Sequence, residues 1–192
     1  MRYLKLSDAA DIKFCSVAPA RMKTQEEKTK WLSCSNFVAD NGVVGEATLT
    51  NFVPDESFAI HPDDIIIKRI TPGYVNYISN ISDDLYAGNN LIVLTARDGV
   101  NAKYLAMILN DKIPSISESS SVGAVMKSVS RPDLEKIKIS LLPYEQQVKL
   151  GEVWFLNIEL KKMKNRLSEL ECIKNNYELT RYINSTGGKN ND

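Results

Sequence analysis

Within the stretch Pro143–Ile183, Val153, Leu156, Leu160, Met163, Leu167 and Leu170 alternate steps of three and four residues. That spacing places all six along one seam of a helix, the a/d pattern of a coiled coil. Carried further, the seam meets Lys174 and then Tyr177. Polar residues fill most other positions after Leu160, so the pattern is a stripe and not a helix buried on every side. Pro143 suits a first helical position, and Glu145 lies in the first turn, where negative charge is favoured. About forty residues at ~1.5 Å each give roughly 60 Å, more than a compact domain of this size needs. Either the helix lies along its own domain, or it pairs with another like it. In the second case everything before Pro143 is a globular head carried on one arm.

Composition narrows the classes less than this stripe does. At 192 residues the chain allows one ordinary domain or a domain with an extension, and a hydrophobic content of 43% is ample for a core. With 24 basic and 24 acidic residues the net charge is zero, and the first 142 residues are as evenly balanced. That argues against coating nucleic acid through bulk charge but allows a local basic patch. Cys15, Cys34 and Cys172 form no C-x-x-C pair, so free thiols in a reducing compartment are expected. The opening MRYLKLSDAADIKF has no apolar signal region, and no run approaches a membrane span. A cytoplasmic protein without membrane contact is expected.

In chain order, residues 2–18 read as two short strands around the polar turn Ser7–Asp11. Ala18-Pro19-Ala20-Arg21 breaks the pattern, Met22–Lys30 reads as a charged loop or helical turn, and Trp31–Ser33 begins another strand. Asn41-Gly42 is a hairpin signal, with Gly45 close by. His61-Pro62-Asp63-Asp64 turns into the β-branched run Ile65–Ile70, Thr71-Pro72-Gly73 turns the chain again, and Tyr74–Ile78 returns. Leu91–Thr95 is a further strand. Asn101 caps a helix expected to reach about Leu109. Ser115–Gly123 reads as a mobile serine-rich loop. Ser130-Arg131-Pro132-Asp133 is a capping box opening a short helix, followed by a last strand at Ile137–Leu141. The expected class is α+β: a head over residues 1–142, a long helix over 143–183, and a disordered tail over 184–192.

The residues of an enzyme site are not in view. His61 is the only histidine and precedes a proline, where capping a turn suits it better than pairing with a catalytic Ser or Cys. No Cys/His cluster has metal-ligand spacing, so no metal or cofactor is expected. Gly42 and Gly45 lack the Lys-Ser/Thr and the helix of a phosphate loop. Leu142-Pro143-Tyr144 carries only part of the Pro-Pro-Tyr of amino-methyltransferases. Pro62-Asp63 could open a nuclease acid cluster, but no Glu follows until Glu118. The adjacent pairs Asp63/Asp64 and Asp83/Asp84 fit turn chemistry. A non-catalytic binding protein is the reading these residues favour.

Three stretches carry a family resemblance. Leu6-Ser7-Asp8 through Val17 and Arg21 is similar to the opening strand pair of the DNA-specificity (S) subunit of type I restriction–modification systems. Asp64-Ile65-Ile66-Ile67-Lys68-Arg69-Ile70 resembles that family's G-D-I-[VI]-x-x-R strand, with Asp63 standing where the family usually has glycine. Gly123 through Ser130, Leu134–Leu142, Pro143 and Glu145-Gln146-Gln147 resemble its junction of short helix, I-x-I-x-x-P strand, E-Q and long helix. The likeness covers the chain to about Glu171. It implies a target-recognition domain that binds double-stranded DNA. It further implies a spacer of two antiparallel helices, on which methyltransferase (M) subunits dock beside restriction (R) subunits. One head and one helix here imply either a homodimer of half-subunits or a piece of a longer subunit.

For the DNA surface, the expected contacts are Arg21, Lys68, Arg69, Thr71, Tyr74, Asn76, Tyr77 and Lys127. Lys68 and Arg69 are neighbours on a strand and point to opposite faces, and Arg69 matches the family's arginine. Asn76 is of the type that reads adenine, and the hydroxyls suit phosphates. Arg21, Lys23, Lys28 and Lys30 form a second basic stretch. For pairing, the expected residues are Val153, Leu156, Leu160, Met163, Leu167 and Leu170. The competing reading is a protein-interaction adaptor whose long helix recruits a partner and whose head binds no DNA.

Overall fold

The computed structural model describes residues 2–15, 23–38, 42–43, 47–53, 55–81, 84–119 and 128–187. Its elements in order are β1 (Arg2–Lys5), α1 (Leu6–Ala9), β2 (Ala10–Cys15), β3 (Thr24–Leu32), β4 (Phe37–Val38), β5 (Gly42–Val43), β6 (Thr48–Phe52), β7 (Ile65–Lys68), β8 (Val75–Tyr77), β9 (Leu85–Ala87), β10 (Leu91–Ala96), α2 (Ala102–Ser119), α3 (Arg131–Glu135), β11 (Lys138–Leu141) and α4 (Tyr144–Gly187). The class is α+β, as the sequence predicts. Two compact units emerge, Met1–Phe155 and Leu156–Asp192.

At the centre of the first unit lies a four-stranded antiparallel sheet in the order β2-β10-β7-β8. Its registers sort the side chains. Phe14, Ile92, Ile67 and Val75 form one row, with Ile12, Leu94, Ile65 and Tyr77 beside it. These pack with Leu105, Leu109 and Ile113 of α2, Leu134 of α3, Ile139 of β11, and Trp154 and Phe155 of α4. The opposite rows hold Cys15, Leu91, Val93 and Ile66, which pack with Leu32, Phe37, Ile60, Ile78 and Ala87. A sheet covered on both faces needs apolar side chains at every position. That is why β7 and β10 read as continuous apolar runs instead of alternating.

Short local devices set the element ends. Asp63 takes a φ of 68° at the entry to β7, a conformation that Gly adopts without strain and Asp tolerates. Asp64 is buried, accepting from the His61 backbone N–H at 2.8 Å and from the Thr95 hydroxyl at 2.6 Å. Ser130 and Asp133 cap α3 reciprocally, as their spacing predicts. Asn101 Oδ1 accepts from the Tyr104 N–H at 3.0 Å and caps α2.

Several expectations need correction. The polar stretch at Ser7–Asp11 is largely the one-turn helix α1 and not a plain turn. The segment expected as a loop or helical turn before Lys30 belongs to β3, which pairs antiparallel with β6 and parallel with β9. Trp31 lies near the end of that strand and does not begin one. Helix α2 does not stop near Leu109 but runs to Ser119 with Pro114 inside it, so residues 115–119 are helical. Ser115 and Ser117 donate their hydroxyls back to the carbonyls of Lys112 and Pro114, which keeps serine compatible with the helix there. Pro143 stands one residue before α4, its carbonyl accepting from the Gln147 N–H at 3.1 Å. Residues 184–187, expected in a disordered tail, belong to α4. Strands β4 and β5 pair antiparallel, with Gly42, expected in a turn, paired to Val38 inside β5. Arg21, Asn41, Gly45, Gly123, Lys127 and residues 188–192 lie outside the described residues. Among the described residues no helix is long and apolar enough to cross a membrane.

Candidate nucleic-acid interface

The hairpin of β7 and β8 carries most of the sequence-predicted contacts, and its two ends differ. At the turn end Lys68 lies with its Nζ 5.0 Å from the Tyr74 ring centroid, a cation–π contact between half-buried side chains. The Lys68 N–H also donates to the Tyr74 carbonyl at 2.8 Å. Arg69 Nε donates to the Val129 carbonyl at 2.9 Å, and the Val129 N–H donates to the Arg69 carbonyl at 2.9 Å. One bridge further, Ile70 pairs with Ser128. Thr71 Oγ1 donates to the Ser117 carbonyl at 2.8 Å, and the Gly73 N–H donates to Ser117 Oγ at 3.0 Å. A Cβ on Gly73 would stand 2.9 Å from the Ser117 Cβ, so this approach requires glycine. Lys68, Arg69, Thr71 and Tyr74 therefore gather at one end of the hairpin. Arg69 and Thr71 there spend named donors on holding the turn to α2 and to the segment before α3.

Asn76 and Tyr77 are placed elsewhere. Asn76 pairs with Ile66 in the β7–β8 register, which puts it on the face packed by the second core, with no exposed surface. A side chain so enclosed does not reach a base edge in this conformation. Tyr77 sits at the far end of the hairpin, beside the first core. Its hydroxyl donates to the Asp63 carboxylate, and its ring meets Phe155 edge-on with centroids 5.3 Å apart. Lys103 Nζ lies 4.7 Å from the Phe155 ring centroid and pairs with Glu152. Burial, then the hydrogen bond to Asp63 and the charges of Asp63 and Glu152, push the Tyr77 phenol above its ordinary pKa. A cleft of about 460 Å³ opens here, lined by Asp63, Tyr77, Arg97, Asp98, Lys103 and Glu152 among others. Its carboxylates outnumber its cations, so it is unsuited to phosphate.

One exposed element was missed by sequence reasoning. Strands β3 and β6 form an antiparallel ribbon within the three-stranded sheet β6-β3-β9, with Thr29↔Thr50, Lys30↔Leu49 and Trp31↔Thr48 opposite each other, and a register irregularity between Thr24 and Thr29. Directly opposed residues share a face, so Lys30 and Leu49 lie together, and alternation adds Asn51. Leu49 is 56% exposed and Asn51 is exposed. On the other face Trp31 Nε1 donates to Thr29 Oγ1 at 2.8 Å, Thr29 Oγ1 donates to the Phe52 carbonyl at 3.1 Å, and Trp31 lies against Tyr86 with centroids 5.4 Å apart, while along the Lys30 face Leu32 and Ala87 enter the second core. Lys28 and Lys30, noted as basic in the sequence, belong to β3. The signal that could have found the ribbon is weak, a run of Thr at 24, 29, 48 and 50 flanking charged residues.

On α4, Val153, Leu156, Leu160, Met163, Leu167 and Leu170 are between 45% and 63% exposed. The seam is thus free on the surface of this chain. Glu159 pairs with Lys162 at 2.8 Å and Arg166 with Glu169 at 3.1 Å, both within the helix. Past Leu170 the seam continues through Lys174 to exposed Tyr177, while Ile173, Leu179, Tyr182 and Ile183, also exposed, leave its spacing. Among the described residues no group of His, Cys, Asp and Glu could hold a metal ion.

Residues 1–171 match the family described as "Type I restriction modification DNA specificity domain". Solved structures similar in fold include a chain from work on complex assembly and conformational transition of the type I R-M system, with TM-score 0.60, 18% identity, and coverage of 94% of this chain and 43% of that one. The HsdS subunit from Thermoanaerobacter tengcongensis aligns at TM-score 0.60 and 17% identity, over 87% of this chain and 39% of that one. The type I restriction–modification S subunit from M. genitalium aligns at TM-score 0.56 and 19% identity, over 91% and 44%. The chain spans about two fifths of the length of these three relatives. A search of the curated proteins found no match.

Proposed function

The chain belongs to the type I restriction–modification DNA specificity family, and from that premise we propose that it reads DNA sequence on behalf of methyltransferase and restriction subunits and catalyses nothing itself. The observation that carries the reading is the union of the family's specificity domain over residues 1–171 with an exposed apolar seam on α4. A seam of Leu, Val and Met costs free energy in water and asks for a partner helix. The proposed assembly is a homodimer with antiparallel α4 helices and two-fold symmetry, reading a two-part inverted site. Lys68 and Tyr74, at the turn of the β7–β8 hairpin, are proposed to stand on the DNA side, with Lys68 on phosphate.

Binding of the full chain to duplex DNA, alone and with its methyltransferase subunit, tests the reading. Affinity for one selected duplex should exceed that for scrambled duplexes, and it should fall steeply with salt. Equal, weak binding to every duplex in both preparations would remove DNA recognition. Methyl transfer by the purified chain without other subunits would remove the non-catalytic assignment.

A further inference from the structure

The two ends of the central sheet β2-β10-β7-β8 differ in charge. Where β7 begins, the cleft at Tyr77 sets Asp63, Asp98 and Glu152 against Arg97 and Lys103. Where β7 ends stand Lys68, Arg69 and Arg131, and among the described residues none of these three is paired with a carboxylate. Arg97, Lys103 and Lys136 of the same unit are, with Asp11, Glu152 and Asp133. We infer that this basic end grips the DNA backbone, with Arg131 as a second phosphate contact beside Lys68. The inference rests on the DNA-recognition reading above and adds to it a residue and a face that sequence reading did not single out.

Strand register brings the cations to one end. Leu91 of β10 pairs with Cys15 on one side and Lys68 on the other, and Phe14 stands in the next row. The Arg131 guanidinium lies over the Phe14 ring, 4.7 Å from its centroid. The mutual hydrogen bonds of Arg69 and Val129 hold the start of α3 there. Each outer cation is steadied by an aromatic ring, Lys68 by Tyr74 and Arg131 by Phe14. A guanidinium over a ring face spends no N–H donor on it, so the donor fork that fits a phosphate stays available. Arg69 differs, because its Nε is committed to Val129. Lys68 shares a face with Leu91 of the second core, whereas Phe14 packs on the first. With β10 between them, β2 and β7 are about 10 Å apart. The two cations therefore stand on opposite faces of the sheet and reach different phosphates. Like charges gathered this closely repel one another, and an extended polyanion relieves that better than one small anion. The specificity-domain match over residues 1–171 makes duplex DNA that polyanion.

The test measures binding of the full chain, with its methyltransferase subunit, to a selected and a scrambled duplex across a salt series. Arg131→Gln removes the charge and keeps a polar side chain. Lys136→Gln, at an exposed lysine just past α3 that pairs with Asp133, is the comparison. The expected result is that R131Q weakens both duplexes by the same factor and lowers the log–log salt slope by about one. K68Q with R131Q should lower it by about two, and K136Q should leave it unchanged. If wild type prefers the selected duplex and R131Q keeps its affinity and slope, the assignment of Arg131 is overturned and DNA recognition stands. A fall in slope from K136Q equal to that from R131Q would make the effect one of bulk charge and overturn the inference. An R131Q that keeps its DNA slope but loses the methyltransferase subunit would make this end a protein contact, which also overturns it. Should R131Q melt below wild type, Arg131→Lys decides: a wild-type slope supports a phosphate contact, and a slope as low as that of R131Q overturns it. If wild type binds no duplex, the DNA-recognition reading falls and this inference with it.

Discussion

A Cβ built on Gly151 of α4 would stand 2.6 Å from the backbone nitrogen of Tyr104 in α2. It would also stand 2.8 Å from Asn101 Oδ1, the atom that caps α2. Glycine here lets the first turns of α4 lie directly against the start of α2. Gly151→Ala forces backbone to yield, because the atoms it meets are mostly not flexible side-chain ends. The expected cost is about 1–3 kcal/mol, read as a lower urea midpoint. A midpoint equal to wild type would show that the two helices have room to separate.

The same junction is held by Gln147, which is 1% exposed. Its Nε2 donates to the carbonyls of Leu142 at 2.8 Å and Gly99 at 3.1 Å, and its Oε1 accepts from the Asn101 N–H at 3.0 Å. Gln147→Ala leaves three backbone groups without those partners, an expected loss of roughly 2–4 kcal/mol. Gln147→Glu keeps the acceptor but presents a buried carboxylate to two carbonyls. It should unfold earlier still at neutral pH. Equal urea midpoints for the alanine and glutamate variants would argue that water fills the junction.

These two residues mark how much was legible in the sequence. The Glu145-Gln146-Gln147 stretch was readable only through its resemblance to the family's junction, since Gln147 acts on Gly99 and Asn101 far along the chain, whereas Ser130-Arg131-Pro132-Asp133 was readable as a cap because it acts within a few residues. The runs at Ile65–Lys68 and Leu91–Thr95 were readable as buried strands because burial on both faces removes alternation. Gln25-Glu26-Glu27-Lys28 carried no such mark: it lies in β3 between Thr24 and Thr29, the residues that pair with β6, which is separate in the chain. Pro114 and the serines after it imitate a helix end, yet side-chain hydrogen bonds and packing keep α2 going. Asn76 shows the limit for the site. Alternation tells which face it shares with Ile66, but not that Leu32, Phe37 and Ile60 arrive from elsewhere to cover that face.

Cys15 offers a check on that second core. Burial, with a smaller opposing effect from Lys13 and a raising one from Asp55, pushes its thiol from 9.0 up to about 12. A folded-state value above the unfolded one gives stability that is whole below about pH 9 and is lost as pH rises toward 12. At pH 8 a thiol reagent should modify exposed Cys172 fastest and buried Cys15 slowest. Cys15→Ala should flatten the alkaline decline in stability between pH 9 and about 12. Rapid modification of Cys15 in the native protein would mean that the face of β2 carrying it opens readily.

At the turn end of the β7–β8 hairpin, Arg69 holds the turn, and Lys68 is the residue proposed to meet DNA. Arg69→Ala removes the donor to Val129 and should lower stability by about 1–2 kcal/mol before any effect on DNA is considered. Lys68→Ala loses only a cation–π contact, worth ~0.5–1 kcal/mol at such a site. If Lys68 holds a phosphate, its removal weakens binding to all duplexes alike and lowers the salt slope by about one. Sequence-dependent loss in K68A, with the salt slope unchanged, would argue that Lys68 touches a base instead.

The seam of α4 makes the most exacting demand, because its register is argued from residues already described. Setting Leu160 opposite Met163 of a second copy also sets Leu156 opposite Leu167 and Val153 opposite Leu170. It keeps Lys174 outside the apolar core. Sliding one antiparallel step toward the C-terminus places Leu156 opposite Lys174, a charge whose enclosure costs several kcal/mol unless its ammonium reaches water. The favoured register also brings Glu159 near Arg166 of the second copy. In the single chain these two pair instead with Lys162 and Glu169, both exposed enough that the exchange costs little. Replacing Leu160 and Leu167 together with Asp should therefore give a monomer by sedimentation. The head's thermal midpoint should hold, since both positions are exposed and lie beyond the unit Met1–Phe155. That monomer should bind a half-site duplex and lose its preference for the two-part site. A wild-type protein that stays monomeric at high concentration, or crosslinks Leu160 to Leu160 in cysteine variants as parallel helices would, refutes the antiparallel pairing.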